Sequence, residues 1–310
     1  IAEAHQALAD FVGAASPDEI KIGPNMTTLT FSFTRAIARD LDAGDRIVGT
    51  MLDHDANVSP WRVACETSGA EHVLAPFDVD SGILDPARVI ELITPNTKWL
   101  AITGASNLIG TAPDLAPIIA AAHAVGARVF VDAVHYAPHA LVDVHAMDCD
   151  FLGCSAYKFY GPHAGMLYGR QALIEALNVP RLDPAPNWSP ERLETGTQNH
   201  EGIVGTGAAI DFLAHLSDGA TRRERLVHSF AAQRGARFTQ VDAHLVRAPR
   251  FESALDQRVV AQPFDRPHMR DRSLADVFEL RRVHACGHQH GCRAGLSKAR
   301  APRRCIELTL

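Results

Sequence analysis

The sequence predicts an α/β fold, a mostly parallel sheet with helices on both faces. Three observations carry this. Strand-length apolar runs alternate with helix-length amphipathic segments from residue 19 to residue 155. Four chemically capable residues, His54, Asn107, Asp132 and Lys158, fall just past or near the ends of predicted strands. That is the edge at which open α/β sheets bind their ligands. The 310 residues are 46% hydrophobic and 21% charged, an ordinary globular balance with enough apolar mass for a sizeable core.

The elements follow in order. Residues 2–15 set Ala, Leu, Phe and Val at helical spacing and read as the end of a helix. The chain starts at Ile1 without a methionine, so an N-terminal part is expected to be missing. A short strand is predicted over 19–22 and a helix over 27–40, stopped near Gly44. A strand over 46–51 runs into the His54 segment. A helix over 60–68 and a strand over 71–76 follow. Asp85-Pro86 is a cap followed by a first-turn proline, and opens a helix over 85–92. Then come a strand over 98–103, a helix over 114–123 ending at Gly126, and strands over 128–132 and 151–155. The glycine run 202–207 matches no dinucleotide or phosphate-loop pattern and is expected to open a helix over 208–216. Beyond about Ala231 the apolar residues keep neither period, and arginines such as Arg234, Arg237, Arg281 and Arg304 interrupt them. Residues 1–230 are therefore read as one ligand-binding domain, and 231–310 as an atypical or degenerate C-terminal segment.

Charge and composition narrow the function. A net charge of −6 and a pI near 6.2 argue against a nucleic-acid partner. No apolar run reaches the length of a membrane span, and no signal peptide is visible. Of six cysteines, Cys65, Cys149 and Cys154 sit in apolar surroundings that suit reduced thiols. A cytoplasmic protein with no membrane partner is expected. The tail carries Cys286-Gly-His288-Gln-His290-Gly-Cys292. These are zinc-ligand types, but they alternate where a knuckle has a Cys-x-x-Cys pair, so no metal is expected. Cys292 is alternatively a thiol nucleophile, if nearby His and Arg lower its pKa.

The sharpest chemistry lies in Phe151-Leu-Gly-Cys-Ser-Ala-Tyr-Lys158-Phe-Tyr-Gly-Pro162 and Arg128-Val-Phe-Val-Asp132. A lysine that can form a Schiff base and a carboxylate that can hold a pyridinium nitrogen are the groups pyridoxal 5'-phosphate chemistry most needs. Lys158 and Asp132 stand 26 residues apart, each near its own strand end, so one cofactor ring can touch both. Each also has a plainer reading alone: Asp132 as a helix cap, Lys158 as a solvated loop residue.

Six ordered motifs separate these readings. They are Gly23-Pro-Asn-Met-Thr-Thr28, Asp53-His54-Asp-Ala-Asn57-Val-Ser-Pro-Trp61, Ser106-Asn107-Leu-Ile-Gly-Thr111, Val131-Asp132-Ala-Val-His135, Cys154-Ser155-Ala-Tyr157-Lys158 and Arg192-Leu-Glu-Thr-Gly-Thr197-Gln-Asn199. In this order they resemble the class V aminotransferase family, most closely its cysteine-desulfurase-like branch. The resemblance implies the large domain of a fold-type I pyridoxal-phosphate enzyme, followed here by an incomplete small domain. It implies that Lys158 carries the cofactor and moves the substrate α-proton, that Asp132 pairs with the ring nitrogen, and that His54 stacks on the ring. Asn107 and His135 would bond the ring oxygen. Ser155, Tyr157 and Thr197, with the backbone amides of Asn25, Met26 and Thr27, would surround the phosphate, Thr197 acting across a homodimer. Tyr157 departs from the His common at its position, and His135 from a frequent Gln. The family's substrate-carboxylate arginine has no clear counterpart in the tail. The implied function is pyridoxal-phosphate chemistry on a small-molecule amino-acid substrate, desulfurase-like or transaminase-like. An epimerase, a kynureninase-like lyase and an impaired paralogue that keeps the fold remain alternatives.

Overall fold

The computed structural model describes residues 1–240. Among these, seven strands form one sheet: β1 (Ile20–Gly23), β2 (Arg46–Thr50), β3 (Glu71–Ala75), β4 (Thr97–Thr103), β5 (Arg128–Asp132), β6 (Phe151–Ser155) and β7 (Gly165–Gly169). Their spatial order is β1-β7-β6-β5-β4-β2-β3. β3, β2, β4, β5 and β6 pair in parallel, and β7 runs antiparallel to both its neighbours. The helices are α1 (Ala2–Val12), α2 (Met26–Ile37), α3 (Ser59–Ser68), α4 (Pro86–Ile90), α5 (Leu115–Ala124), α6 (Val144–Met147), α7 (Gln171–Ala176), α8 (His200–Ala214) and α9 (Arg222–Gln240).

Alternation along the central strands sends side chains to two separate cores. Leu100, Ile102, Val129, Val131 and Leu152 join Leu8 and Phe11 of α1, Ile118 of α5 and Ile210 of α8. Trp99, Ala101, Phe130 and Phe151 join Phe33 of α2 and Trp61 of α3 on the other face. Phe33 is the hub of that second core. Its ring lies 4.7 Å from Phe151 and 5.4 Å, edge-on, from Trp99. Both faces of β4, β5 and β6 are thus covered, which is why these strands read as continuous apolar runs without polar alternation.

The strands predicted over 46–51, 71–76, 98–103, 128–132 and 151–155 are present within a residue of their expected ends. Three features differ. β7 escaped prediction because it is short, begins and ends in glycine, and has no polar alternation, being wholly buried. Gly165 is fixed by sterics. A Cβ there would lie 2.2 Å from the carbonyl carbon of Asn25 and 2.5 Å from the Met26 nitrogen. The glycine run does not precede α8 but lies inside it. The helix starts at His200, capped by the Asn199 side chain, which accepts from the Gly202 N–H at 2.9 Å. Gly207 lets α8 approach α1, since a Cβ there would sit 3.2 Å from the Ala4 Cα. Finally, α9 forms where the apolar period fades, because arginines anchor its start. Arg222 pairs with Asp10 at 2.6 Å and Asp211 at 2.7 Å, and Arg223 donates to the Phe11 carbonyl at 3.0 Å. The tail beyond residue 240, with Cys286, His288, His290 and Cys292, lies outside the described residues, as does most of the segment read as atypical.

Gly165→Ala should therefore lower unfolding stability by about 3 kcal/mol or more, the cost of overpacking against backbone. Gly126→Ala, at φ +79 with nothing near its Cβ, should cost only about 1 kcal/mol of backbone strain. Denaturant melts of the two variants check this, and equal losses would show that Gly165 is not held by contact.

Candidate active site

Parallel pairing makes β2, β4, β5 and β6 end at one edge, and their last residues converge there. A pocket of about 270 Å³ opens at this edge. His54 follows β2, Asn107 follows β4, Asp132 closes β5, Ser155 closes β6, and Lys158 ends the single turn after β6 (Ala156–Lys158). All five line the pocket, together with His135, Tyr157, Met26 and Thr27. Thr103, Ala105, Ala56 and Val134 complete the lining. These four are small or aliphatic residues beside the motif positions, and nothing in the sequence distinguished them.

Each side chain has a local reason for its place. Asp132 is buried, and its Oδ1 accepts the Val134 N–H at 2.9 Å. Among the described residues no cation pairs with it, and burial raises its pKa to about 6 against that single hydrogen bond. His54 Nδ1 accepts the Ala56 N–H at 3.0 Å, which leaves the ring proton on Nε2 and fixes the ring's orientation. Lys158 is exposed, its Nζ 5.7 Å from the centre of the Tyr157 ring. His163 also stacks on Tyr157, with ring centres 5.1 Å apart. His135 is half-buried, and burial, with a smaller contribution from the Lys158 charge, holds its pKa below the usual value.

The start of α2 supplies hydrogen-bond donors. The Asn25 side chain caps it by accepting the Thr28 N–H at 2.8 Å, and Ser155 Oγ accepts the Met26 N–H at 3.1 Å. Thr27, which lines the pocket, keeps the first-turn N–H that neither side chain takes up. Asn25 itself is not part of the lining. Thr197 lies elsewhere, in a second cavity of about 270 Å³ that it shares with Gly23, His163 and Asn199. The rest of its motif is structural. Glu194 Oε1 receives the Ile22 N–H at 2.8 Å and meets His5 Nε2 at 2.9 Å, and Arg192 donates to the carbonyls of Glu175 and Leu177. Asp53 hydrogen-bonds Thr50 and, at 2.8 Å, accepts from Asn57.

The donor set fits pyridoxal phosphate: a primary amine open to the pocket, a buried carboxylate lacking a cation, an oriented imidazole, and a helix N-terminus with hydroxyls for an anion. Comparison with known proteins points the same way. The family model described as Aminotransferase class-V matches residues 1–265. The chain belongs to the class-V aminotransferase family. It is 39% identical over 195 residues to a cysteine desulfurase of Enterobacter sp. (strain 638), covering 56% of this chain and 46% of that protein. It is 37% identical over 228 residues to a cysteine desulfurase of Klebsiella pneumoniae (strain 342), covering 68% and 55%. The chain thus spans about half the length of these curated relatives. Among solved structures, the cysteine desulfurase CsdA of Escherichia coli matches with a TM-score of 0.65 at 32% identity, over 68% of this chain and 56% of that one. The apo cysteine desulfurase of Thermococcus onnurineus NA1 matches with a TM-score of 0.65 at 26% identity, over 69% and 56%. The fold-type I large-domain architecture expected from the motifs is therefore present. Among the described residues no helix is long and apolar enough to cross a membrane.

The raised Asp132 pKa sets a sign. An acid that holds its proton more tightly when folded favours folding at low pH, and that advantage is lost as pH rises from about 4 to about 6. Without cofactor, Asp132→Asn should therefore melt higher than the parent chain above pH 6, by roughly 1–3 kcal/mol, and the gap should close near pH 4. Parallel melting curves at every pH would refute the uncompensated burial.

Proposed function

We propose that this chain binds pyridoxal 5'-phosphate at the Lys158 pocket and acts on an amino acid, with cysteine the first substrate to test. The observation that carries this reading is the meeting of Lys158, Asp132 and His54 in one pocket at the ends of adjacent parallel strands. The similarity to cysteine desulfurases supports the choice of substrate.

The cofactor, when bound, supplies an electron sink for the charge released at the substrate's α-carbon. Lys158 would hold it through its Nζ and then, as a free amine, take and return the α-proton. Its exposure to the pocket leaves the amine able to turn between these tasks. The Asp132 carboxylate would keep the ring nitrogen protonated. A cation at that position also ends the uncompensated burial of Asp132, so binding and electrostatic relief are linked. His54 would lie against the ring in the orientation set by the Ala56 N–H, and Asn107 and His135 would meet the ring oxygen. The Thr27 N–H, with the Ser155 and Tyr157 hydroxyls, would receive the phosphate. Ala56, Ala105 and Val134 would keep water from the ring faces. Three buried free thiols, Cys65, Cys149 and Cys154, support a reducing, cytoplasmic setting. We read the working form as a homodimer in which Thr197, set apart from the Lys158 pocket, serves the partner subunit's phosphate.

Borohydride reduction of the cofactor-loaded chain, followed by peptide mapping, should label Lys158; label on Lys21, Lys98 or Lys298 would sink the assignment. Asp132→Asn should keep measurable cofactor binding while losing on the order of a hundredfold or more in turnover, the scale of a missing proton-holding group. Near-parental rates would show that Asp132 does not face the ring nitrogen. Sulfide release from cysteine separates a desulfurase from other activities of the class, and analytical ultracentrifugation of the loaded chain at micromolar concentration should show a dimer. A fully loaded monomer would remove Thr197 from the phosphate site.

A further inference from the structure

Asp53 joins the two strongest features of the site without lining the pocket. Its Oδ1 accepts from Asn57 Nδ2 at 2.8 Å, and its Oδ2 hydrogen-bonds Thr50 Oγ1. Asn57 Oδ1 in turn accepts from Trp61 Nε1 at 3.0 Å. Thr50, Asn57 and Trp61 are each 0% exposed. Asp53 and Asn57 flank His54, and the Asn57 N–H also donates to the His54 carbonyl at 2.8 Å. The side-chain bond between positions 53 and 57 therefore closes a five-residue loop with His54 inside it. One end of this loop is tied to the last residue of β2, and the other to α3 in the aromatic core.

Asp53 is half-buried and Asp132 buried, and among the described residues neither carboxylate has a cation. Two unpaired anions there are costly, so one keeps its proton. Asp132 lines the pocket and can meet a cationic ligand there; Asp53 does not line it, and both its oxygens are engaged by Thr50 and Asn57. Burial drives the Asp53 carboxyl well above the usual carboxylate range. The bonds from Thr50 and Asn57 oppose this, and the Asp132 charge adds to it. Asp132 is the charged side chain that acts on Asp53 among the described residues.

We propose that Asp53 is a positioning residue: carried as a neutral acid whose Oδ2–H donates to the Thr50 hydroxyl while Oδ1 accepts from Asn57, it clamps the His54 loop between β2 and α3 without setting a second anion beside Asp132. What the clamp positions rests on the cofactor reading above; the clamp and the neutral acid do not, and both are testable without cofactor.

The cofactor-free 310-residue chain at pH 8 should show a protonated-carboxyl stretch in its infrared spectrum. Asp53→Asn should abolish that band and Asp132→Asn should leave it. No such band, or a band unaffected by Asp53→Asn, overturns the neutral acid. Asparagine is a neutral isostere that can accept from Asn57 and donate to Thr50. Pyridoxal-phosphate affinity should therefore stay within about threefold in Asp53→Asn and fall by about tenfold or more in Asp53→Ala, as expected for a displaced ring contact. The visible circular dichroism of the bound cofactor should change in the alanine variant only. Thr50→Val removes one bond from the clamp and should weaken binding in the same direction. It decides the point should Asp53→Ala fail to fold. Parental affinity and dichroism in both the alanine and valine variants overturns the clamp, and equal damage from asparagine and alanine overturns neutrality. A parent chain that bound no cofactor would end the proposed function alone. The Trp61 indole N–H resonance of the cofactor-free protein would then decide the clamp: kept in Asp53→Asn and moved in Asp53→Ala supports it, unmoved in both overturns it.

Discussion

Parallel pairing of β2, β4, β5 and β6 is the constraint on which the rest of this structure depends. Strands that run the same way must end at the same edge, and each here ends in, or runs into, a residue that can do chemistry: His54, Asn107, Asp132, and Ser155 with Lys158. Segments up to about a hundred residues apart in sequence are thus delivered to one pocket by hydrogen-bond register. The same pairing dictates that both sheet faces be covered, which accounts for the Phe33–Trp61–Phe130 core on one side and the α1–α8–α9 packing on the other. The antiparallel β7 closes the site's flank. Its entry at Gly165 brings backbone against the start of α2, where the first-turn amides of Met26 and Thr27 stand beside Ser155.

Electrostatically the pocket is built around unmet charge. Among the described residues Asp132 is buried without a cation, Asp53 lies close enough to sense it, and Lys158 stands exposed with the Tyr157 ring near its amine. Free carboxylates below a sheet edge are unfavourable by themselves. In the proposed reading, a cationic ring nitrogen that met Asp132 would convert that cost into binding. Stability lost to that burial would thereby be recovered as ligand affinity, an arrangement common at sites where pKa values are displaced.

Two motif residues illustrate how function and scaffold share one signature. In Arg192-Leu-Glu-Thr-Gly-Thr197, the arginine and glutamate are consumed by structure. Arg192 caps carbonyls at the end of α7, and Glu194 ties α1 to β1 through His5 and the Ile22 N–H. Thr197 lines, with Thr195, a different cavity from that of Lys158. In Asp53-His54-Asp-Ala-Asn57, the histidine meets the pocket while the flanking residues hold it. A motif read as a list of site residues overstates the site, because half of its members serve the backbone.

The sequence by itself determined six of the sheet's seven strands and the edge at which the pocket opens. Strand-length apolar runs are a local signal, and β4, β5 and β6 carry it plainly. Strand-end placement made Lys158, Asp132, His54 and Asn107 legible before any contact was known. Only the tertiary structure decided three things. β7 carries too few residues, with glycines at both ends, to show a period; it exists because β6 and β1 offer it open hydrogen bonds. The glycines of α8 look like a helix breaker, yet Gly207 is there because α1 passes within contact distance. The role proposed for Asp53 depends on its partners Thr50 and Asn57, and on Trp61 behind Asn57, all three fully buried. Depth and partners are properties of packing, and no spacing along the chain encodes them.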